Sequence, residues 1–67
     1  MSVYKKEEVV GTSTKSYEDA IQGAVDRAGK TIRNLSWFEV KELRGGIAKG
    51  KIEFQAVIVL AFKLDEA

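Results

Sequence analysis

Lys51-Ile-Glu-Phe-Gln-Ala-Val-Ile-Val-Leu-Ala-Phe-Lys-Leu64 is an unbroken strand pattern, and its reading decides the fold. Side chains alternate across a strand. Ile52, Phe54, Ala56, Ile58, Leu60, Phe62 and Leu64 therefore share one face, while Lys51, Glu53, Gln55, Val57, Val59, Ala61 and Lys63 share the other. The first face is apolar throughout. The second turns from polar to apolar, with Gln55 at the change. At about 3.3 Å per residue the stretch reaches roughly 46 Å, far beyond an ordinary strand. A small chain cannot easily bury all of it, so partner subunits are expected to cover part.

The chain has 67 residues, which predicts one domain spanning 1–67, since two pieces would each be too small for a core. A domain this short buries only about 60% of its unfolded surface. With no Cys and no His, it lacks disulfides and the common thiolate or imidazole metal sites. Association is the remaining route to stability. Eleven Lys and Arg against ten Asp and Glu give a net charge of +1, with both signs interspersed. A nucleic-acid module carries a clustered basic footprint, which is missing here. No stretch approaches the ~20 apolar residues that span a bilayer, and the opening residues hold no signal-like apolar run. The expectation is a soluble cytoplasmic protein with neither nucleic-acid nor membrane partners.

Working outward from the long strand, Ser2 to Val10 read as a first strand whose charged centre, Lys5-Lys6-Glu7-Glu8, suits a sheet edge. Gly11-Thr12-Ser13-Thr14 is expected to end it. Ser16, with Asp19 three residues on, resembles a helix N-cap, so the helix should start at Tyr17. Tyr17, Ala20, Ile21, Ala24, Val25, Ala28 and Ile32 then follow helical spacing. This mostly Ala stripe suits close approach to a sheet; Gly23 reads as close packing and Gly29 as a fraying end. Trp37 to Arg44 form a second strand with Phe38 and Val40 on one face and Trp37, Glu39 and Lys41 on the other. Gly45-Gly46 and Gly50 are expected to bound a hairpin loop.

The order is β-α-β-β. A helical connection makes the first two strands parallel if they share a sheet, and the hairpin makes the last two antiparallel. With the longest, most apolar strand in the middle, the fold class is α+β: a three-stranded antiparallel sheet of order 1-3-2 wrapped around one helix. A helix of ~15 residues spans about 22 Å, roughly half of the third strand. The uncovered half and the second face are expected to meet other subunits.

The enzyme constellations fail. Without His or Cys, the usual nucleophile systems are impossible within one chain. Gly45-Gly46-Ile47-Ala48-Lys49-Gly50 lacks the ending of a phosphate loop and opens a strand, so it reads as a turn. Glu39 and Glu42 are expected on opposite faces, a poor acid-base pair. What remains is the single Trp37, facing the same general side as Gln55. An indole offers a flat stacking surface, and a carboxamide offers a donor and an acceptor side by side. Together they suit a planar heteroaromatic ligand, although a lone Trp beside Phe38 also suits a core or an interface.

These residues lie within a broader pattern: Val-Tyr-Lys-Lys (3 to 6), Val-Gly-Thr-Ser (10 to 13), Ala-Ile-Gln (20 to 22), Trp-Phe-Glu-Val-Lys-Glu (37 to 42), Arg-Gly (44 to 45), Phe-Gln (54 to 55) and Phe-Lys-Leu (62 to 64). In order and spacing over almost its whole length, the chain resembles the dodecins, small flavin-binding proteins that form hollow homododecameric shells. The resemblance implies that Trp37 stacks on the isoalloxazine ring, that Gln55 hydrogen-bonds its polar edge and that Arg44 contacts the flavin. It implies FMN as the ligand, with riboflavin, lumichrome or FAD as alternatives, and storage and photoprotection in place of catalysis. Some members also bind coenzyme A, for which no residues are assigned, and the turn after Arg44 varies in the family. A flavin-dependent enzyme and a shell without flavin are the competing readings.

Overall fold

The computed structural model describes residues 1–66. Its elements are β1 (Tyr4–Ser13), α1 (Tyr17–Ala28), β2 (Leu35–Ala48) and β3 (Lys51–Lys63). As the alternation of its side chains requires, β3 is the central strand, antiparallel to both neighbours in a sheet of order β1-β3-β2. On its helix-facing side Ala56, Ile58 and Leu60 pack with Ala20 of α1 in a fully buried core. Removing Ile58 and Leu60 from water contributes about 1.5 to 3 kcal/mol each before conformational entropy is counted.

The helix begins where Ser16 and Asp19 place it, the Ser16 hydroxyl accepting from the Asp19 N–H at 3.0 Å. Ser13 reinforces this start by donating to Asp19 Oδ2 at 2.7 Å and accepting from the Lys15 N–H at 2.9 Å. The end comes earlier than the periodicity predicts. Gly29 is the C-cap, Thr31 and Ile32 both donate to the Ala28 carbonyl, and Asn34 (φ 65°) turns the chain into β2. Ile32 therefore lies outside the helical stripe. Gly23 has open space where a Cβ would stand, so it is not a close-packing residue.

Three glycines expected to break strands lie inside them. Gly11 pairs with Ala56 within β1, and a Cβ there would collide with the Ala20 carbonyl oxygen. Its smallness lets the helix backbone approach the sheet, and β1 continues to Ser13. Gly45 and Gly46 likewise pair with Phe54 and Glu53, so β2 runs on to Ala48. The hairpin turn is Lys49-Gly50 alone, with φ of 53° and 75°, the two positive values of a two-residue type I′ connection.

The helix lies over β1 and β3 and meets β2 only at its start, where Leu35 packs against the core, so Phe38, Val40 and Leu43 remain about half exposed. Beyond the helix, Ile47 is 81% and Ile52 59% exposed. The opposite face differs from expectation: Val57 and Val59 are only 6% and 8% exposed within a single chain. Long side chains from both flanking strands close over them, in ion pairs Lys6–Glu39 (3.0 Å) and Lys41–Glu8 (3.2 Å) that cross β3. The surface that needs covering is the helix side of β2 with the hairpin tip, and the second face of β3 is closed by its own neighbours.

Candidate functional site

Two bulges in β2 decide which side chains reach the charged face of the sheet. Leu35 pairs with Phe62 and Trp37 with Ala61, leaving Ser36 as an extra residue whose hydroxyl donates to the Asn34 carbonyl at 3.0 Å. Because a one-residue slip exchanges faces, this bulge brings Trp37 onto the Ala61 side. Lys41 is the second extra residue, between the pairs Val40–Ile58 and Glu42–Val57. It carries Glu42 and Arg44 onto the face of Gln55. Glu39 and Glu42 consequently share a face, contrary to the simple alternation expected of them.

At one end of this face the Trp37 indole, 45% exposed, lies against the Tyr4 ring, with centroids 5.0 Å apart and planes inclined by 55°. Its Nε1–H donates to Glu39 Oε2 at 2.9 Å, and the same oxygen faces Lys6 Nζ at 3.0 Å. The hydrogen bond from Trp37 and then that from Lys6 hold the Glu39 carboxyl below its ordinary value, because both stabilise the charged form. On the helix side of the sheet, an apolar depression of about 160 Å³ lies between α1 and the start of β2, lined by Val25, Leu35, Phe38 and Leu60 together with Ser36 and Trp37.

At the other end, Arg44 and Gln55 are cross-strand partners, and Arg44 Nε donates to Gln55 Oε1 at 2.8 Å. Gln55 Nε2 donates to Glu53 Oε1 at 3.0 Å, and Arg44 Nη1 lies 3.6 Å from Glu42 Oε1. A carboxamide has two donor hydrogens and two acceptor lone pairs, so one of each remains for a ligand. Gly46 makes the space: a Cβ there would stand 3.0 Å from Gln55 Nε2.

Trp37 and Gln55 thus share a face, and Arg44 joins Gln55. Trp37 does not. The pairing positions Ala61 and Gln55 are six steps apart along β3, about 20 Å of strand. Tyr4, Lys6, Glu39 and Gly46 were not legible as site residues. The one available signal was Glu39 two positions after Trp37, which places both on one strand face. Among the described residues, no three His, Cys, Asp or Glu side chains gather as a metal site, and no helix is long and apolar enough to cross a membrane.

The Dodecin family model matches residues 3–65. The chain belongs to the dodecin family. It is 54% identical over 65 residues to Dodecin from Thermus thermophilus, covering 96% of this chain and 94% of that one. A solved Thermus thermophilus structure superposes with a TM-score of 0.93 at 51% identity and full coverage of both chains. Dodecin from Streptomyces coelicolor gives 0.92 at 42% identity, covering 98% of this chain and 96% of that one. A Mycobacterium tuberculosis relative named Calcium dodecin is 34% identical over 68 residues, covering 100% of this chain and 96% of its own. These dodecin structures share the three-stranded sheet and single helix described above.

Proposed function

We propose that copies of this chain assemble into a hollow homododecamer that holds flavin between subunits, for storage and photoprotection and without turnover. The observation that carries this reading is the half-exposed Trp37 indole, held at its N–H edge by Glu39 on the same face as Gln55. The residues fit the ligand class. An indole face suits a planar ring system, the spare donor and acceptor of Gln55 suit a polar ring edge, and the Arg44 guanidinium beside it offers positive charge. FMN is the proposed ligand, and riboflavin, lumichrome and FAD share the ring that these groups would recognise.

The distance between Trp37 and Gln55 within one chain supports a site completed by a second copy. The bare apolar strip of Phe38, Val40, Leu43, Ile47 and Ile52 supports the association this needs. A bound flavin would supply light absorption and an electron-accepting ring. The chain's own part is to stack the electron-rich indole on that ring, quenching it when excited, and to fix its edge through Gln55. Coenzyme A is a further candidate ligand with no residues assigned. A chain without Cys suits a reducing compartment, and cytoplasmic residence belongs to the proposal.

Titrating the purified protein with FMN, with light scattering on the same sample, tests this directly. Quenched flavin fluorescence and a particle of about 89 kDa, twelve chains of 7.4 kDa in a closed assembly, are expected. A stable monomer, or bright bound flavin, contradicts it.

A further inference from the structure

We propose that Glu39, backed by Lys6, is a positioning residue that fixes the plane of the Trp37 indole before any ligand arrives. This rests on the flavin reading for its purpose, and on geometry for its content. Trp37 sits one residue after a bulge, where a half-exposed ring has room to turn about its side-chain bonds. Three strands limit that freedom. From β3, Ala61 is fully buried and small, and lies between its cross-strand partners Lys6 and Trp37 as a flat floor. From β1, the Tyr4 ring leans on the indole at a centroid distance of 5.0 Å. From β2 itself, Glu39 Oε2 takes the indole N–H at 2.9 Å, and Lys6 reaches across β3 to the same oxygen at 3.0 Å.

One carboxylate oxygen therefore ties the ring to the far strand. Both members of the ion pair are about half exposed, and exposed ion pairs add little to stability. Orientation of the indole explains their placement better than stability does. The other charged groups facing Glu39 are Lys41 on its own strand and Glu8 on β1, which are paired with each other at 3.2 Å. The Tyr4 ring packs on the indole, and β3 presents only Val59 opposite Glu39. Lys6 is thus the cation that holds the carboxylate in place. Freezing the ring in the free protein removes an ordering cost from ligand stacking, which predicts a two- to tenfold gain in affinity, roughly the cost of immobilising one side chain.

Trp37 is the only tryptophan in the chain, so time-resolved anisotropy of indole fluorescence in flavin-free protein reads its motion alone. Glu39→Ala should enlarge the fast local component and weaken FMN binding by about two- to tenfold, at unchanged particle size. Glu39→Gln, which can still accept the indole N–H, should recover part of both effects. On acidification the parent should drift towards the behaviour of Glu39→Gln as the carboxylate protonates and its pairing with Lys6 is lost, while Glu39→Gln stays flat. Unchanged indole motion in Glu39→Ala overturns the proposal, whatever happens to affinity, and so does a parent with no acid dependence of that motion. If the parent takes up no FMN, the flavin reading fails, and the anisotropy of flavin-free protein still decides whether Glu39 orients the ring.

Discussion

The two ends of the charged sheet face are built on opposite plans. At the Trp37 end a large apolar ring is left half in water, and its neighbours Tyr4, Glu39 and Lys6 hold its edge and flank. At the Gln55 end a polar group is tucked between Arg44 and Glu53, with Gly46 vacating the space above it. One end offers a surface and the other offers directional bonds. They lie about 20 Å apart along β3, so a tricyclic ligand cannot touch both in one chain. A site needing both plans must draw its parts from different copies, which a symmetric assembly supplies without further residues.

Separating the two plans should give effects of graded size. Trp37→Ala removes the surface and should weaken FMN binding by about 1 to 3 kcal/mol, the range for aromatic stacking on a nucleic-acid base. Bound flavin should then fluoresce; a variant that binds and quenches like the parent would make Trp37 a packing residue. Gln55→Leu removes the directional bonds and should cost about 1 kcal/mol of affinity, with quenching of the remaining bound flavin intact. Loss of quenching there would mean that the ends do not have separate roles. Gly46→Ala adds a methyl against Gln55 Nε2, the mobile end of a side chain, and should cost under about 1 kcal/mol in affinity, again without brightening the flavin.

The smallest effect is one of pH, and it belongs to the Trp37 end. The Glu39 carboxyl is held below its ordinary value, first by Trp37 and then by Lys6, so its folded value lies below its unfolded one. The tie it provides is therefore fully present above the ordinary carboxylate range and is lost as pH falls through the lowered folded value. Stopped titrations of FMN across that acidic range should show a modest loss of affinity in the parent. A Glu39→Gln variant with the same acid profile would assign the loss to another group.

Much of this architecture could be read from the alternation in residues 51 to 64. A strand apolar on one side throughout and on both sides at its centre had to be central, and that placement dictated the sheet order and the helix side. The helix start was legible because Ser16 and Asp19 act locally. The strand ends were not legible, because Gly11, Gly45 and Gly46 look like breakers in sequence and act through neighbours that only the folded chain supplies. The bulges at Ser36 and Lys41 were hidden for the same reason: neither residue type announces an extra position. That Trp37 and Gln55 face the same way could be inferred from alternation, yet the adjacency of Arg44 and Gln55 depends on register. The coverage of Val57 and Val59 by ion pairs crossing the strand was invisible for the same cause.

On the proposed reading, each flavin site takes Trp37 from one copy and Gln55 from another. Co-expressing Trp37→Ala and Gln55→Leu chains in equal amounts tests it most directly. In mixed shells about a quarter of the sites should receive an intact Trp37 from one chain and an intact Gln55 from another. Titration with FMN should then recover a tight, quenched class of about that size. If flavin binding in the mixed shells is only the sum of the two defective parents, the site is not shared between copies, and the account is wrong.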